Sequence, residues 1–204
     1  LTGHQMASVD FRNANYPDAT LTDAVMQSVN AANAQFVGVI ARRTDVSWAN
    51  LEGANFTGAD LSQAKLIQTK ASGAVFAHAT LMNARMSTAV FVGASFEDAI
   101  LTGVRATSAD FSSANLIRTN LEGARLSGAV FNGANLTSAV FGTADISAAS
   151  FHDARLDDAD LSQTFGARQG DFAGACGTLA TKPPAGVEIR LCAATFAGTP
   201  APTP

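Results

Sequence analysis

ANLEGANFTGADLSQAKL, residues 49–66, repeats itself every five residues. Large apolar side chains stand at Leu51, Phe56, Leu61 and Leu66, and an alanine stands two places before each, at Ala49, Ala54, Ala59 and Ala64. A period of five is neither the roughly 3.6 of a helix nor the roughly 2 of a strand. Two inward residues separated by one outward residue, followed by two more positions, describe a short extended segment and a turn. Four such turns close a square.

The frame runs through most of the chain. With each large residue taken as a centre, centres fall every five residues from Leu1 to Leu161, 33 in all. Of these, 29 are large and apolar, 13 being Leu and 10 Phe. A second period of twenty sorts them. Tyr16, Phe36, Phe56, Phe76 and Phe96 form one column, Phe91, Phe111, Phe131 and Phe151 belong to another, and a third holds Leu1, Leu21, Leu61, Leu81, Leu101 and Leu121. Like side chains stack when the backbone repeats at the inter-strand spacing of about 4.8 Å.

Upstream, FVGVIARRTDV (residues 36–46) breaks the rule, with Ala41 at a centre and Val39 two places before it. The other small centres, Ala31, Ala71 and Ala106, are likewise preceded by a larger residue, at Val29, Thr69 and Val104. The exchange keeps interior volume nearly constant, as close packing requires. The stretch is therefore the same repeat with its bulk exchanged, and Arg42 and Arg43 fall on outward positions.

The pattern A-(D/N)-(L/F)-x-x, in ANLEG, ANFTG, ADLSQ, ADFSS and ANLTS, resembles the pentapeptide-repeat proteins. The resemblance implies an all-β fold, a right-handed quadrilateral β-helix of about eight coils with a C-terminal cap. It implies little about function, because the family includes gyrase-protecting DNA mimics, lumenal and periplasmic proteins, and effectors. The expected organisation is a β-helix over 1–165, a capping segment over 166–197 and a disordered tail over 198–204.

A solenoid needs its open end covered, or the last coil exposes core and unpaired strand edge. Phe165 and Phe172 are the expected plugs, and Val187–Cys192 reads as a short strand after the turn at Pro183-Pro184. ACGTLATKPPAGVEIRLC resembles caps on some bacterial members of the family. The two cysteines, Cys176 and Cys192, bracket this cap. Oxidised, they close a loop worth roughly 3 kcal/mol in the chain-entropy account and favour an oxidising compartment. Reduced, they are two buried thiols in a cytosolic cap. The disulfide, and with it export to a periplasm or thylakoid lumen, is the expectation. The sequence starts at Leu1 with an irregular LTGHQMAS, shows no signal peptide and has no apolar run of about 20 residues.

Chemistry is sparse. His4, His78 and His152 lie on different coils without a repeated nucleophile or acid beside them. The acidic run HDARLDDAD (152–160) reads as a solvated edge. The recurrent glycines, such as Gly53 and Gly123, sit where a turn needs them rather than in a phosphate loop. Two cysteines with no histidine in the cap do not make a metal site. No enzyme, cofactor or metal is expected. A net charge of −4 over 204 residues does not suit direct nucleic-acid binding.

One outward column stands out: Gln5, Val25, Asp45, Lys65, Arg85, Arg105, Arg125, Asp145. Lys65, Arg85, Arg105 and Arg125 form a candidate basic stripe, flanked by Gln63, Asn83, Gly103 and Gly123, for an anionic surface of a protein partner or membrane complex. Outward apolar residues group more loosely: Ile40, Ile100 and Val140; Val90, Val92 and Val130; Val37, Val75, Ala77 and Ile117. The expected function is a non-enzymatic, rod-shaped interaction module with a protein partner, with end-to-end pairing of two rods as a further expectation. The alternative is a DNA-mimicking gyrase inhibitor or protector, against which stands the lack of any column of consecutive carboxylates.

Overall fold

The computed structural model describes residues 1–193. Each five-residue unit contributes three extended residues, centred on the outward one, and a two-residue turn. The outward residues pair in parallel with those twenty positions on, as in Gln5 with Val25, Asp10 with Asn30, Asn15 with Gln35 and Thr20 with Ile40. Four such columns make a four-sided β-helix.

The main-chain hydrogen bonds explain the period. In the unit of Phe76, the centre N–H donates to the Ser95 carbonyl at 2.7 Å, and the outward Val75 N–H donates back to Ala54 at 2.9 Å. The second turn residue, His78, donates to Glu97 at 2.8 Å, and the Ala79 N–H closes the turn onto the Phe76 carbonyl at 3.1 Å. Four of the five N–H groups are thereby bonded. The fifth, on the first turn residue, is left over. An Asp or Asn at the outward position takes it: Ser62 N–H donates to Asp60 Oδ1 at 3.0 Å, Ser112 to Asp110 at 2.9 Å and Glu122 to Asn120 at 2.9 Å. The Asp or Asn of the motif is thus a turn cap, the Asx device.

The second turn residue adopts a positive φ whether or not it is glycine, for example 57° at Asn83, 54° at Ser108 and 60° at Trp48. Positive φ at the third position alone is the mark of a type II turn.

Centres and the small residues two places earlier share one interior, buried without a break from Leu21 to Leu161. Phenylalanines stack along their columns, with ring centroids 5.2 Å apart for Phe56–Phe76, 4.9 Å for Phe76–Phe96 and 4.9 Å for Phe131–Phe151. Neighbouring columns meet edge to face, as at Phe76–Phe91. The exchanged units keep this interior filled: Ala41 and Val39, Ala71 and Thr69, Ala106 and Val104 are all buried. Threonine in the small position brings a hydroxyl inside, and the hydroxyls of Thr44, Thr69 and Thr119 donate to the carbonyls of Leu21, Val46 and Phe96. Arg42 and Arg43 point outward and pair with Asp60 and Asp23.

The cap continues the coil with insertions. Arg155 pairs with Cys176 and Asp160 with Lys182, offsets of 21 and 22 instead of twenty. A 3-10 helix, Gln169–Phe172, delivers Phe172 onto Phe151 with the rings 4.7 Å apart, so Phe172 is the plug. Phe165 is not: it is 55% exposed. It pairs with Asp145 in an outward column, so the repeat itself turns its ring away from the core. The strand expected over Val187–Cys192 is shorter, β2 (Arg190–Leu191), lying parallel to β1 (Cys176–Gly177). Cys176 and Cys192 are joined in a disulfide. The expected tail, 198–204, and the last residues of the expected cap lie outside the described residues.

Candidate partner-binding face

The basic column runs down the middle of one side of the helix. Its main chain is fixed by the ladder, Lys65 pairing with Arg85, Arg85 with Arg105 and Arg105 with Arg125. The side chains of all four are exposed. Lys65 is engaged: its Nζ lies 3.3 Å from Asp45. Asp45 is largely buried and also accepts from Gln27 Nε2 at 2.9 Å and from the Ser47 N–H at 3.1 Å. Burial pushes its carboxyl up, but the bonds from Ser47, Gln27 and Lys65 together outweigh it and hold the group below the usual carboxylate range.

Arg85, Arg105 and Arg125 have no acidic partner among the described residues. Other arginines do: Arg43 is bidentate on Asp23 at 2.7 Å, and Arg118 grips Asp98 and Glu97 at 2.7 Å each. The three free guanidinium groups border an open depression of ≈ 560 Å³ lined by Gln63, Asn83, Gly103 and Gly123 as well as the arginines. Gly103 keeps it open, since a Cβ there would come within 2.5 Å of Asn83 Oδ1 at a φ of +68°.

This side also carries donors that the sequence reading missed. Where Arg stands in place of Asp or Asn, the turn N–H loses its cap. The N–H groups of Ser87, Thr107 and Ser127 follow Arg85, Arg105 and Arg125 by two residues and have no acceptor among the described residues. The signal was available in the motif, as a cation in the slot that elsewhere holds the capping oxygen.

Other candidates are dispersed. His4 contacts the Thr2 carbonyl, His78 lies 3.8 Å from Asp98 and His152 contacts the Gly170 carbonyl, on separate coils. Three of the four acids of 152–160 are engaged one by one: Asp157 with Arg155, Asp158 with Thr178 and Asp160 with Lys182. Ile40, Ile100 and Val140 are exposed but stand two or three coils apart in their column, with Asp60, Thr80 and Asn120 between them.

The profile described as Pentapeptide repeats matches this chain in 8 copies, over residues 5–40, 27–58, 42–76, 59–97, 89–128 and 124–163. The chain belongs to the pentapeptide-repeat family. No curated protein sequence matches it. Among solved structures, this pentapeptide-repeat chain is similar to a trypsin-treated variant of QnrB1, a plasmid-mediated fluoroquinolone resistance protein, at 23% identity, 87% coverage of this chain and 93% of that one, and a TM-score of 0.46. It is similar to HetL of the cyanobacterium Nostoc sp. strain PCC 7120, a protein involved in heterocyst differentiation regulation, at 25% identity, 83% and 85% coverage and a TM-score of 0.28. A pentapeptide repeat protein from the Arabidopsis thaliana thylakoid lumen is 26% identical over 71% of this chain and 70% of that one, with a TM-score of 0.26. Among the described residues of this pentapeptide-repeat chain, no helix is long and apolar enough to cross a membrane. The cap disulfide is compatible with an exported protein.

Proposed function

We propose that this pentapeptide-repeat chain is a non-enzymatic rod that binds a protein partner through its basic side. The observation that carries the reading is the run of Arg85, Arg105 and Arg125 on successive coils, exposed and without acids among the described residues, in a chain whose other arginines are largely paired. Three like charges about 5 Å apart repel one another and gain most from an anion that approaches all three. The rigid ladder holds their main chain in place, so little order is lost on binding.

DNA mimicry finds less support. A surrogate for DNA needs carboxylates in rows, and no column of this helix places Asp or Glu on two successive coils. Export is part of the proposal and rests on the Cys176–Cys192 bridge.

The test is cross-linking in the native cell, followed by mass spectrometry without reduction. The expected result is a partner captured by the wild-type chain and lost with Arg85→Glu/Arg105→Glu, with Cys176 bridged to Cys192. A partner captured equally by the charge-reversed chain removes the basic side from the proposal. Free thiols remove the exported location.

A further inference from the structure

We infer that the basic side is a bounded receptor for one short acidic segment of a partner protein, whose carboxylates fill the capping positions that Arg85, Arg105 and Arg125 leave vacant. The inference rests on the proposed binding role of this side and adds the chemistry and length of what binds. Its first support is the turn chemistry. Where the motif's Asp or Asn stands at the outward position, its oxygen receives the first turn N–H, as at Asp60, Asp110 and Asn120. At Ser87, Thr107 and Ser127 that N–H has no acceptor among the described residues, and an arginine occupies the position whose Asp or Asn would supply the oxygen. A carboxylate arriving there takes the N–H and the guanidinium together. Such charge-assisted bonds are stronger than neutral ones, and an arginine fork suits a planar carboxylate.

The second support is length. The column is closed at both ends by acids, Asp45 before Lys65 and Asp145 after Arg125. Three free arginines span about 10 Å, two coil spacings. Alternate side chains of an extended peptide lie about 6.7 Å apart, so two acids in an acid-x-acid register fit that span. A duplex nucleic acid, with a charge every ~1.7 Å of axis, must run past Asp145 and meets repulsion there, while at the other end Lys65 is already neutralised by Asp45. The third support is room: Gly103 and Gly123 leave the depression beside Arg105 and Arg125 free of side chains, where a peptide backbone can lie.

The experiment is fluorescence anisotropy on the full chain at low salt, with three labelled probes: a nine-residue peptide with Glu at its fourth and sixth positions and otherwise neutral, the same peptide with Gln, and a 20-base-pair DNA duplex. The variants are Arg105→Glu and Asp145→Asn. The second keeps the side-chain oxygen that caps the Ser147 N–H and removes only the charge. The expected result is binding of the Glu peptide alone, weakened at least about tenfold by Arg105→Glu, as loss of a bond to a charged group predicts. Asp145→Asn should tighten the peptide and bring in weak duplex binding. Duplex binding by the wild-type chain as tight as the peptide's overturns the inference. So does equal binding of the Glu and Gln peptides, or no binding of either. These results leave the proposed function standing if Arg85→Glu/Arg105→Glu still abolishes the native cross-link. If that cross-link survives, the binding role of this side falls with them.

Discussion

At the level of single residues, the second turn position sets the terms. It takes a positive φ in nearly every repeat, and side chains other than glycine pay about 1–2 kcal/mol for that conformation. Gly58 has φ +67° and open space around a built Cβ, so Gly58→Ala isolates the backbone cost. Ala148 is the reverse case, an exposed alanine at φ 54° with only a methyl group to lose. Glycine's greater freedom in the unfolded chain offsets part of either change, by about 0.5–1 kcal/mol. Gly58→Ala should destabilise and Ala148→Gly should stabilise, each by about 0.5–1 kcal/mol net. Urea titrations would show midpoints moving in opposite directions at unchanged slope. Midpoints moving the same way would mean the turns are not what these residues are selected for.

At the level of the element, the exchanged units show that the interior conserves volume by pair rather than by position. Ala106→Leu alone overpacks its coil and should cost about 1–3 kcal/mol. Val104→Ala alone leaves a void and destabilises as well. The double change restores the common Ala-and-Leu arrangement, and most of the loss should return. A double-mutant cycle by denaturant unfolding measures this, and simple additivity would refute shared packing.

The cap offers a test by pH. Asp160 holds Lys182 at 2.8 Å and accepts from both the hydroxyl and the N–H of Ser162. The ammonium of Lys182 first, and the Ser162 bonds after it, bring the carboxyl down to about 2. Its value in the folded chain is below the unfolded value of about 3.9, so the stabilisation is complete above about pH 4 and is lost as pH falls toward 2. Hydrogen exchange of the Lys182 N–H, bonded to the Ala159 carbonyl, should lose protection across that window in the wild-type chain. In Asp160→Asn, which keeps the Ser162 acceptor without the charge, the loss over the same window should be smaller.

The same elements show what the sequence could reveal. The coils were legible because every fifth residue announces itself and every twentieth matches. The cap was not, because its register drifts: Lys182 follows Asp160 by 22 residues, and Phe172 follows Phe151 by 21, although each still meets its partner on the coil below. Ending the count at Leu161 made Phe165 a plug, when continuing it places Phe165 on an outward position opposite Asp145. At the basic side the stripe was legible. Two parts of it were not: the pairing of Lys65 with Asp45, which needs side-chain reach across a coil, and the open N–H groups, which need the bonding scheme of the turn.

At the level of the whole molecule, each coil contacts only its neighbours, so stability and recognition can be edited coil by coil. Deleting residues 61–80 removes one full circuit, joins Asp60 to Leu81 and returns every remaining column to register. Phe56 then stacks on Phe96, and Ala71 leaves together with its larger partner Thr69, so the interior stays filled. The shortened chain should fold and unfold cooperatively, with a denaturant slope lower by about a tenth, in line with the surface removed. Recognition should change more than stability. The deletion takes away Lys65, the present partner of Asp45, and brings Arg85 into its place in the column. Arg85 then pairs with Asp45, and two free arginines remain instead of three. The acidic peptide should bind several-fold more weakly, while a control deletion of 21–40, which leaves Asp45 with Lys65, should bind it as the full chain does. Equal weakening by both deletions would trace the loss to a shorter rod and not to the acids that bound the window.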